Sequence, residues 1–400
     1  MRVAYLVSRF PVVTETFILR ELTAVDRQDG VDVELLSLFP AAVSTVHPAA
    51  EPWLERVHRP SARATLESVA WWSARAPGTM ARILLAVTRD YLRRPDVLIR
   101  ALVTVACAAQ HARTVQRVGV EHVHAHYATY PALAARTIAS LAGTSYSVTP
   151  HAHDLFLYQH GLARTLRQAR FVVAISQFNR GFLKALGVER TPVIRYGIDL
   201  SAYRYRPRRP PAEGRSRALF VSSFRDYKGH SVLVEALALG GPRMRQMQVI
   251  LVGEGPLRQS IERLARDRGV AGQLEFAGAL SESEVADRLA EVDVLVQPSI
   301  VTPEGLTEGI PNTLIEAMAS GVPVVSSRVS GIPELVRHGE TGLLAEPGDP
   351  ADLAAAIERV LGDPDAAYER AVAGRTLVER EYEVESVARR LSALFRSEPS

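Results

Sequence analysis

No run of 18 or more apolar residues occurs in the chain, so nothing in it reads as a membrane-crossing helix. It has one cysteine, Cys107, set in an Ala- and Val-rich helical run. An internal disulfide is thereby excluded, and a packed small hydrophobe is the expected role. The opening MRVAYLVSRFPVV passes directly into a strand pattern, without a signal-like apolar segment and cleavage site, which points to the cytoplasm. The first β-α-β segment lacks the G-x-G-x-x-G that lets backbone approach a pyrophosphate, which weakens a dehydrogenase reading. Aromatic platforms and base-reading motifs are missing too, so no nucleic-acid partner is expected.

What is present is an ordinary globular composition: 400 residues, 47% apolar and 23% charged. This length suits two domains of about 200 residues. The net charge of +3 hides an asymmetry, since residues 1–200 hold 23 Lys and Arg against 15 Asp and Glu, and the rest hold 24 against 29. A basic first half fits an anionic membrane surface or a phosphorylated lipid acceptor. Peripheral attachment at the inner face of a membrane is therefore one expectation. Between about Ser61 and Arg117, a helical stretch intersperses Arg82, Arg89, Arg93, Arg94 and Arg100 with Ile83, Leu84, Val87, Tyr91 and Leu92. That is the composition of a basic amphipathic surface helix, although an Arg face solvated over an ordinary core stripe is the plainer reading.

Residues 2–8 and 31–38 are apolar runs of strand length, separated by a helix whose stripe is Phe17, Ile18, Leu22 and Val25 with Glu21 as polar partner. Further strands are expected at 171–176, 193–199, 218–222, 249–252, 274–278 and 292–299. Residues 203–217 are rich in Pro and Arg, without periodicity. They suggest a linker at 204–217 between domains 1–203 and 218–378, with 379–400 forming a final helix. His122, His124 and His126 alternate, so on a strand all three rings would point one way. Together with His151 and His153 they raise the question of zinc, but their spacing matches no usual zinc signature and no metal is expected.

The densest information lies in Glu304–Asp349, EGLTEGIPNTLIEAMASGVPVVSSRVSGIPELVRHGETGLLAEPGD. A flexible turn delivers Asn312 and Thr313, expected as capping residues, to an apolar helix. The first turn of such a helix has unpaired N–H groups and the positive end of the macrodipole, and so attracts phosphate. Glu308 and Glu316 flank that seat, and carboxylates suit vicinal sugar hydroxyls. In the second half, Lys228 stands just before another expected helix, where an ammonium can meet phosphate oxygens. Gly253 and Gly255 mark a tight turn that permits close backbone approach.

These residues resemble the signature of glycosyltransferase family 4: Glu, seven residues, Glu (Glu308 and Glu316), then G-x-P-V-V, G-x-x-E and G-L-L-x-x-P-G-D in order. SRFPVVTETFILREL, HAHYATYPALAA and YSVTPHAHDLF are similar to the exopolysaccharide branch of that family. The resemblance implies an α/β protein of GT-B fold, two doubly wound Rossmann-like domains facing a central cleft. It also implies retaining, metal-independent hexosyl transfer from a nucleoside-diphosphate sugar to a glycan, lipid-linked or small-molecule hydroxyl, with no cofactor. Family frequency favours UDP over GDP. Residue by residue, it implies catalytic roles for Lys228, Glu308, His151 and Arg225. Donor contacts fall to Glu316, Gly309, Ile310, Asn312, Thr313, Gly253, Glu254 and Ser223, and acceptor contacts to Thr14, His126 and His153.

Three departures stand out. Ser223 occupies the place of the usual Arg, Tyr196 that of an Asn, and Pro311 offers no N–H. The alternatives are a sugar-nucleotide epimerase or a non-catalytic binding protein of the same fold, and a glycoside hydrolase. The last needs carboxyl groups roughly 5–9.5 Å apart. Eight helical positions would place Glu308 and Glu316 about 12 Å apart.

Overall fold

Val3, Ala4, Tyr5, Leu6 and Val7 are all buried, the mark of a strand covered on both faces. They lie in β1 (Arg2–Arg9), the first of twelve strands among the described residues of the computed structural model. The structure describes residues 1–12, 15–41, 48–151, 153–156, 161–211 and 214–397, with 153 and 156 described by backbone alone.

The first six strands are β1, β2 (Asp32–Phe39), β3 (Val57–His58), β4 (His122–His126), β5 (Ser145–Thr149) and β6 (Phe171–Val172). They form one sheet in the order β3-β2-β1-β4-β5-β6, every neighbouring pair parallel. The second six are β7 (Arg217–Val221), β8 (Gln248–Val252), β9 (Leu274–Gly278), β10 (Val294–Gln297), β11 (Val324–Ser327) and β12 (Leu343–Ala345). Their sheet runs β12-β11-β10-β7-β8-β9, again wholly parallel. Helices connect successive strands, as a parallel sheet requires.

The chain divides into two units, Met1–Gly197 with Val384–Ser400, and Ile198–Glu383. In the first, alternation along β1 sends Ala4 and Leu6 into one apolar cluster and Val3, Tyr5 and Val7 into another on the opposite face. The second cluster is closed by the helices Thr16–Asp26 and Val384–Arg396, which contribute Ile18, Leu22, Leu391 and Phe395. Cys107 is buried in the first cluster. Residues 206 and 208, inside the stretch read as a linker, donate backbone bonds to Ser320 and Gly321 of the second unit (3.0 and 2.9 Å).

The helical stretch expected at 61–117 resolves into three helices, Ala62–Arg75, Pro77–Tyr91 and Pro95–Val118. Pro77 and Pro95 begin the second and third, where a missing N–H costs nothing. Residues 193–199 do not form the expected strand. Val193 makes a single bridge to Ala174, which Pro192, having no N–H, cannot extend backwards, and Ile198 makes a separate bridge to Glu383. Among the described residues no helix is long and apolar enough to cross a membrane.

Candidate active site

In each sheet the strand order reverses once, between β4 and β1 in the first and between β10 and β7 in the second. Loops that leave the carboxyl ends of such a strand pair diverge and open a crevice, the usual ligand position in this architecture.

In the second unit, the loop after β7 carries Lys228 and the loop after β10 carries Glu308. The two meet although they are 80 positions apart in sequence, Lys228 Nζ donating to Glu308 Oε1. The other carboxylate oxygen accepts from Ser299 Oγ at 2.8 Å. Both side chains are largely buried, 15% and 11% exposed. The loops are stitched together by the Ile300 N–H, which donates to the Tyr227 carbonyl (2.9 Å). Gly229, at φ +80°, lies so close to Pro298 that a Cβ would fall 1.8 Å from its carbonyl oxygen, so only glycine permits this approach. Gly253 does the same after β8, where a Cβ would sit 2.1 Å from the Ser222 oxygen.

The helix Asn312–Ser320 begins four residues beyond Glu308. Its N-cap is Pro311, so Asn312 and Thr313 are its first two residues rather than the capping residues expected from sequence, and no side chain caps it. No side chain therefore withholds an N–H; Leu314 donates back to the Pro311 carbonyl (3.1 Å), and the N–H groups of Asn312 and Thr313 remain for a ligand. Thr313 Oγ1 reaches Gln297 at the end of β10 (3.5 Å). Glu316 is buried one turn in, and Ile310 is buried beside a half-buried Gly309. Ser223 and Arg225 are exposed, and the Arg225 guanidinium has no side-chain partner among the described residues. Glu254 pairs with Arg258 (2.7 Å). His230, which opens the next helix, packs between Phe220 and Phe224 with ring centroids 4.4 and 4.2 Å away. Burial, reinforced by the Lys228 charge, pushes its pKa down to about 3.

In the first unit, β4 does turn His122, His124 and His126 to one face, and all three are buried. The hydroxyls of β5 meet two of them: His122 Nε2 and His124 Nδ1 share Ser147 Oγ (2.6 and 2.7 Å), and His124 Nε2 reaches Thr149 Oγ1 (3.0 Å). His126 Nε2 lies 3.1 Å from Glu21 Oε1, which also accepts from the Tyr5 hydroxyl (3.1 Å). His126 Nδ1 lies 3.4 Å from His151 Nε2, and His151 Nδ1 lies 2.7 Å from the Tyr196 hydroxyl. The backbone of His151 is fixed as well, its N–H by Asp154 (2.8 Å) and its carbonyl by Asn179 (3.0 Å). Asp154 is buried, which raises its pKa to about 6 against the backbone N–H bonds it accepts. Burial pushes His124 and His151 well below the usual imidazole range. Tyr127, next to His126, is held at φ +74°, rare for a residue with a side chain. The ligand atoms of Glu21, His124 and His126 fall within 4.8 Å of one another and could hold a metal ion. Each of them also has the hydrogen-bond partner just described, which the zinc reading does not require.

Residues 203–376 match the family described as Glycosyl transferases group 1. Over 407 residues, 99% of each chain, the sequence is 27% identical to the amylovoran biosynthesis glycosyltransferase AmsK of Erwinia amylovora. Residues 203–376 thus belong to the group 1 glycosyltransferases, and the chain is similar to such an enzyme along its whole length. A partial relative is the GDP-mannose-dependent alpha-(1-6)-phosphatidylinositol monomannoside mannosyltransferase of Mycobacterium tuberculosis, 29% identical over 56% of this chain and 59% of that one. The crystal structure of Anabaena Alr3699/HepE in complex with UDP superposes with a TM-score of 0.74, covering all of both chains at 18% identity, which shows the GT-B fold. This group 1 glycosyltransferase therefore transfers a sugar from a nucleotide sugar and belongs to a retaining family.

Within the glycosyltransferase, the second unit brings together Lys228, Glu308 and the start of Asn312–Ser320. The first unit brings together His126 and His151. Thr14 lies outside the described residues, and His153 opens the short helix His153–Phe156. Sequence reasoning gave no role to Ser299, Asp154 or Asn179, and it placed Glu21 only as a polar residue on an apolar stripe. A carboxylate on a buried helix face was the available signal for Glu21, since such a group demands a partner.

Proposed function

We propose that the crevice between β7 and β10 holds the nucleoside diphosphate of the donor. What carries this reading is the Lys228–Glu308 pair set four residues ahead of an uncapped helix start. A diphosphate seated against the N–H groups of Asn312 and Thr313 would compete with Glu308 for the Lys228 ammonium. Released, Glu308 keeps its bond from Ser299 and turns one oxygen to the donor sugar's hydroxyls, while Glu316 takes the ribose. Charge that builds on the departing phosphate then meets Lys228, the helix dipole and the exposed Arg225. Fixed donors of this kind stabilise a leaving diphosphate by themselves, so metal-independent transfer is proposed. His151 and Thr14 are assigned to the sugar and acceptor.

AmsK acts in amylovoran biosynthesis, and on that likeness the acceptor is proposed to be a growing exopolysaccharide chain. HepE was crystallised with UDP, and the mycobacterial relative depends on GDP-mannose, so base and sugar call for a direct test. A panel of UDP- and GDP-sugars should raise the melting temperature for one donor class. A ligand at 100 times its dissociation constant adds about 2.7 kcal/mol. No shift with any nucleotide sugar, and none with UDP or GDP alone, would count against the assigned seat.

We also propose that the helices Pro77–Tyr91 and Pro95–Val118 attach the enzyme to an anionic bilayer. Leu85, Leu92 and Ile99 are 72%, 65% and 64% exposed, and Arg82, Arg89 and Arg93 are exposed around them. Apolar side chains that insert and arginines that meet lipid phosphates are the two elements of interfacial binding. Co-sedimentation with phosphatidylglycerol vesicles, lost in phosphatidylcholine vesicles and reduced at least tenfold by Leu85→Ser with Leu92→Ser, is the expected result.

A further inference from the structure

The imidazoles of His126 and His151 are joined end to end between a carboxylate and a phenol, and the donors along that line can be counted. Glu21 Oε1 accepts from Tyr5 and, as a carboxylate, can only accept from His126 Nε2. The His126 proton that meets Glu21 is therefore on Nε2, and a ring that carries this proton alone accepts at Nδ1. Its one partner along the line is His151 Nε2, which must then carry a proton. His151 is neutral, because burial holds its pKa far down, so its Nδ1 in turn accepts, and the Tyr196 hydroxyl donates to it. The rings are held for this. The ring planes of His126 and His151 lie within 17° of parallel with centroids 5.6 Å apart, and those of His151 and Tyr196 within 13° at 5.8 Å. Phe17 packs against both His151 and Tyr196 at 5.0 and 5.2 Å.

We propose that Glu21 is a positioning residue which, through His126, fixes the tautomer of His151 and so commits the Tyr196 proton to the His151 ring. Any further neighbour of the phenolic oxygen, an acceptor-substrate hydroxyl included, must then donate to it. Tyr196 becomes a hydroxyl-orienting group in the place where the resemblance leads one to expect an asparagine. An asparagine amide offers donor and acceptor together, whereas this phenol offers acceptance alone, so the line imposes a direction on the substrate's hydrogen bond. His126 thereby acts from behind His151, 1% exposed, in place of the acceptor contact expected of it. The link to substrate rests on the transferase reading above; the tautomers do not.

The test is long-range ¹H–¹⁵N correlation of the histidine rings in the full-length protein, with His151 assigned by its loss in His151→Asn. The wild-type protein should show Nε2–H at both His126 and His151, without substrate. In Glu21→Gln, an amide that can donate to His126 Nε2, His126 and His151 should lose that single tautomer and show Nδ1–H in part or in full. Tyr196→Phe should leave the His126 tautomer unchanged and lower kcat about tenfold, with the donor KM within twofold. Nδ1–H at His151 in the wild-type protein, an unchanged tautomer in Glu21→Gln, or one equivalent of tightly bound metal would each overturn the proposal. If Glu21→Gln does not fold, the wild-type spectrum decides alone. Wild-type tautomers as expected, in a protein that transfers no sugar, would instead overturn the functional reading and leave the line of bonds standing.

Discussion

Lys228→Ala is expected to lower turnover about 10²–10³-fold, the usual cost of losing one donor aimed at transition-state charge. Only two of the 47 Lys and Arg are lysines, Lys184 and Lys228, and the second sits in the crevice of the second unit. A compact ammonium on a flexible stem can leave one anion for another, which a guanidinium locked into a bidentate fork does less readily. The structure adds a consequence that the sequence did not suggest. Because Lys228 neutralises a mostly buried Glu308, its removal should also cost about 1–3 kcal/mol of stability, the penalty of an anion left short of a partner. Lys228→Ala with Glu308→Gln should recover most of that stability and none of the activity. Steady-state kinetics and urea unfolding of the two variants separate the roles. Wild-type turnover in Lys228→Ala would remove the lysine from the mechanism.

Acid should unfold this protein steeply, and the first unit before the second. Burial depresses His111 to about 4, and His122 and His230 to about 3, from an ordinary 6.5. Between those values the unfolded chain binds protons that the folded chain refuses, so stability rises with pH in this window and is lost as pH falls from 6.5 towards 3. At about 1.4 kcal/mol per unit, His111 and His122 together remove a large part of the stability of about 5–15 kcal/mol expected for a domain, whereas the second unit carries His230. His124 and His151, also depressed, add to the first unit. Asp154 works the other way: raised to about 6, it takes up a proton in the folded state first and offsets part of the loss between pH 6 and 3.8. Urea unfolding followed by circular dichroism at pH 7.5, 6.5, 5.5 and 4.5 should show falling midpoints, with unfolding near pH 4 without denaturant. A flat profile from pH 7.5 to 4.5 would mean that these imidazoles are solvated.

Much of the fold was legible because parallel strands buried on both faces read as unbroken apolar runs, as in Val3–Val7 and Val294–Val296. The run at 193–199 was misread because its apolar content resembles a strand, whereas its two bridging residues, Val193 and Ile198, pair with different segments, at Ala174 and Glu383. The cap of Asn312–Ser320 was misread by one step: Asn and Thr are the commoner caps, but Pro311 is held in extended backbone at that position, and φ near −62° suits a chain about to turn helical. Glu308 and Glu316 stood out because an entire ordered set of motifs surrounds them. Ser299 did not, since a serine at a strand end is ordinary until its neighbour is known.

By itself the sequence determined the strand and helix alternation, and it marked the acidic and basic residues that surround the helix start near residue 312. These follow from local spacing, which backbone geometry turns into faces and ends. Only the tertiary structure decided which groups meet: Lys228 with Glu308 across 80 positions, Glu21 with His126 across 105, and His151 with Tyr196 across 45. Those pairings are set by strand order, which places β7 beside β10, β1 beside β4 and β5 beside β6. A hydrogen bond has direction as well as length, so the order of strands fixes where each proton of the line resides.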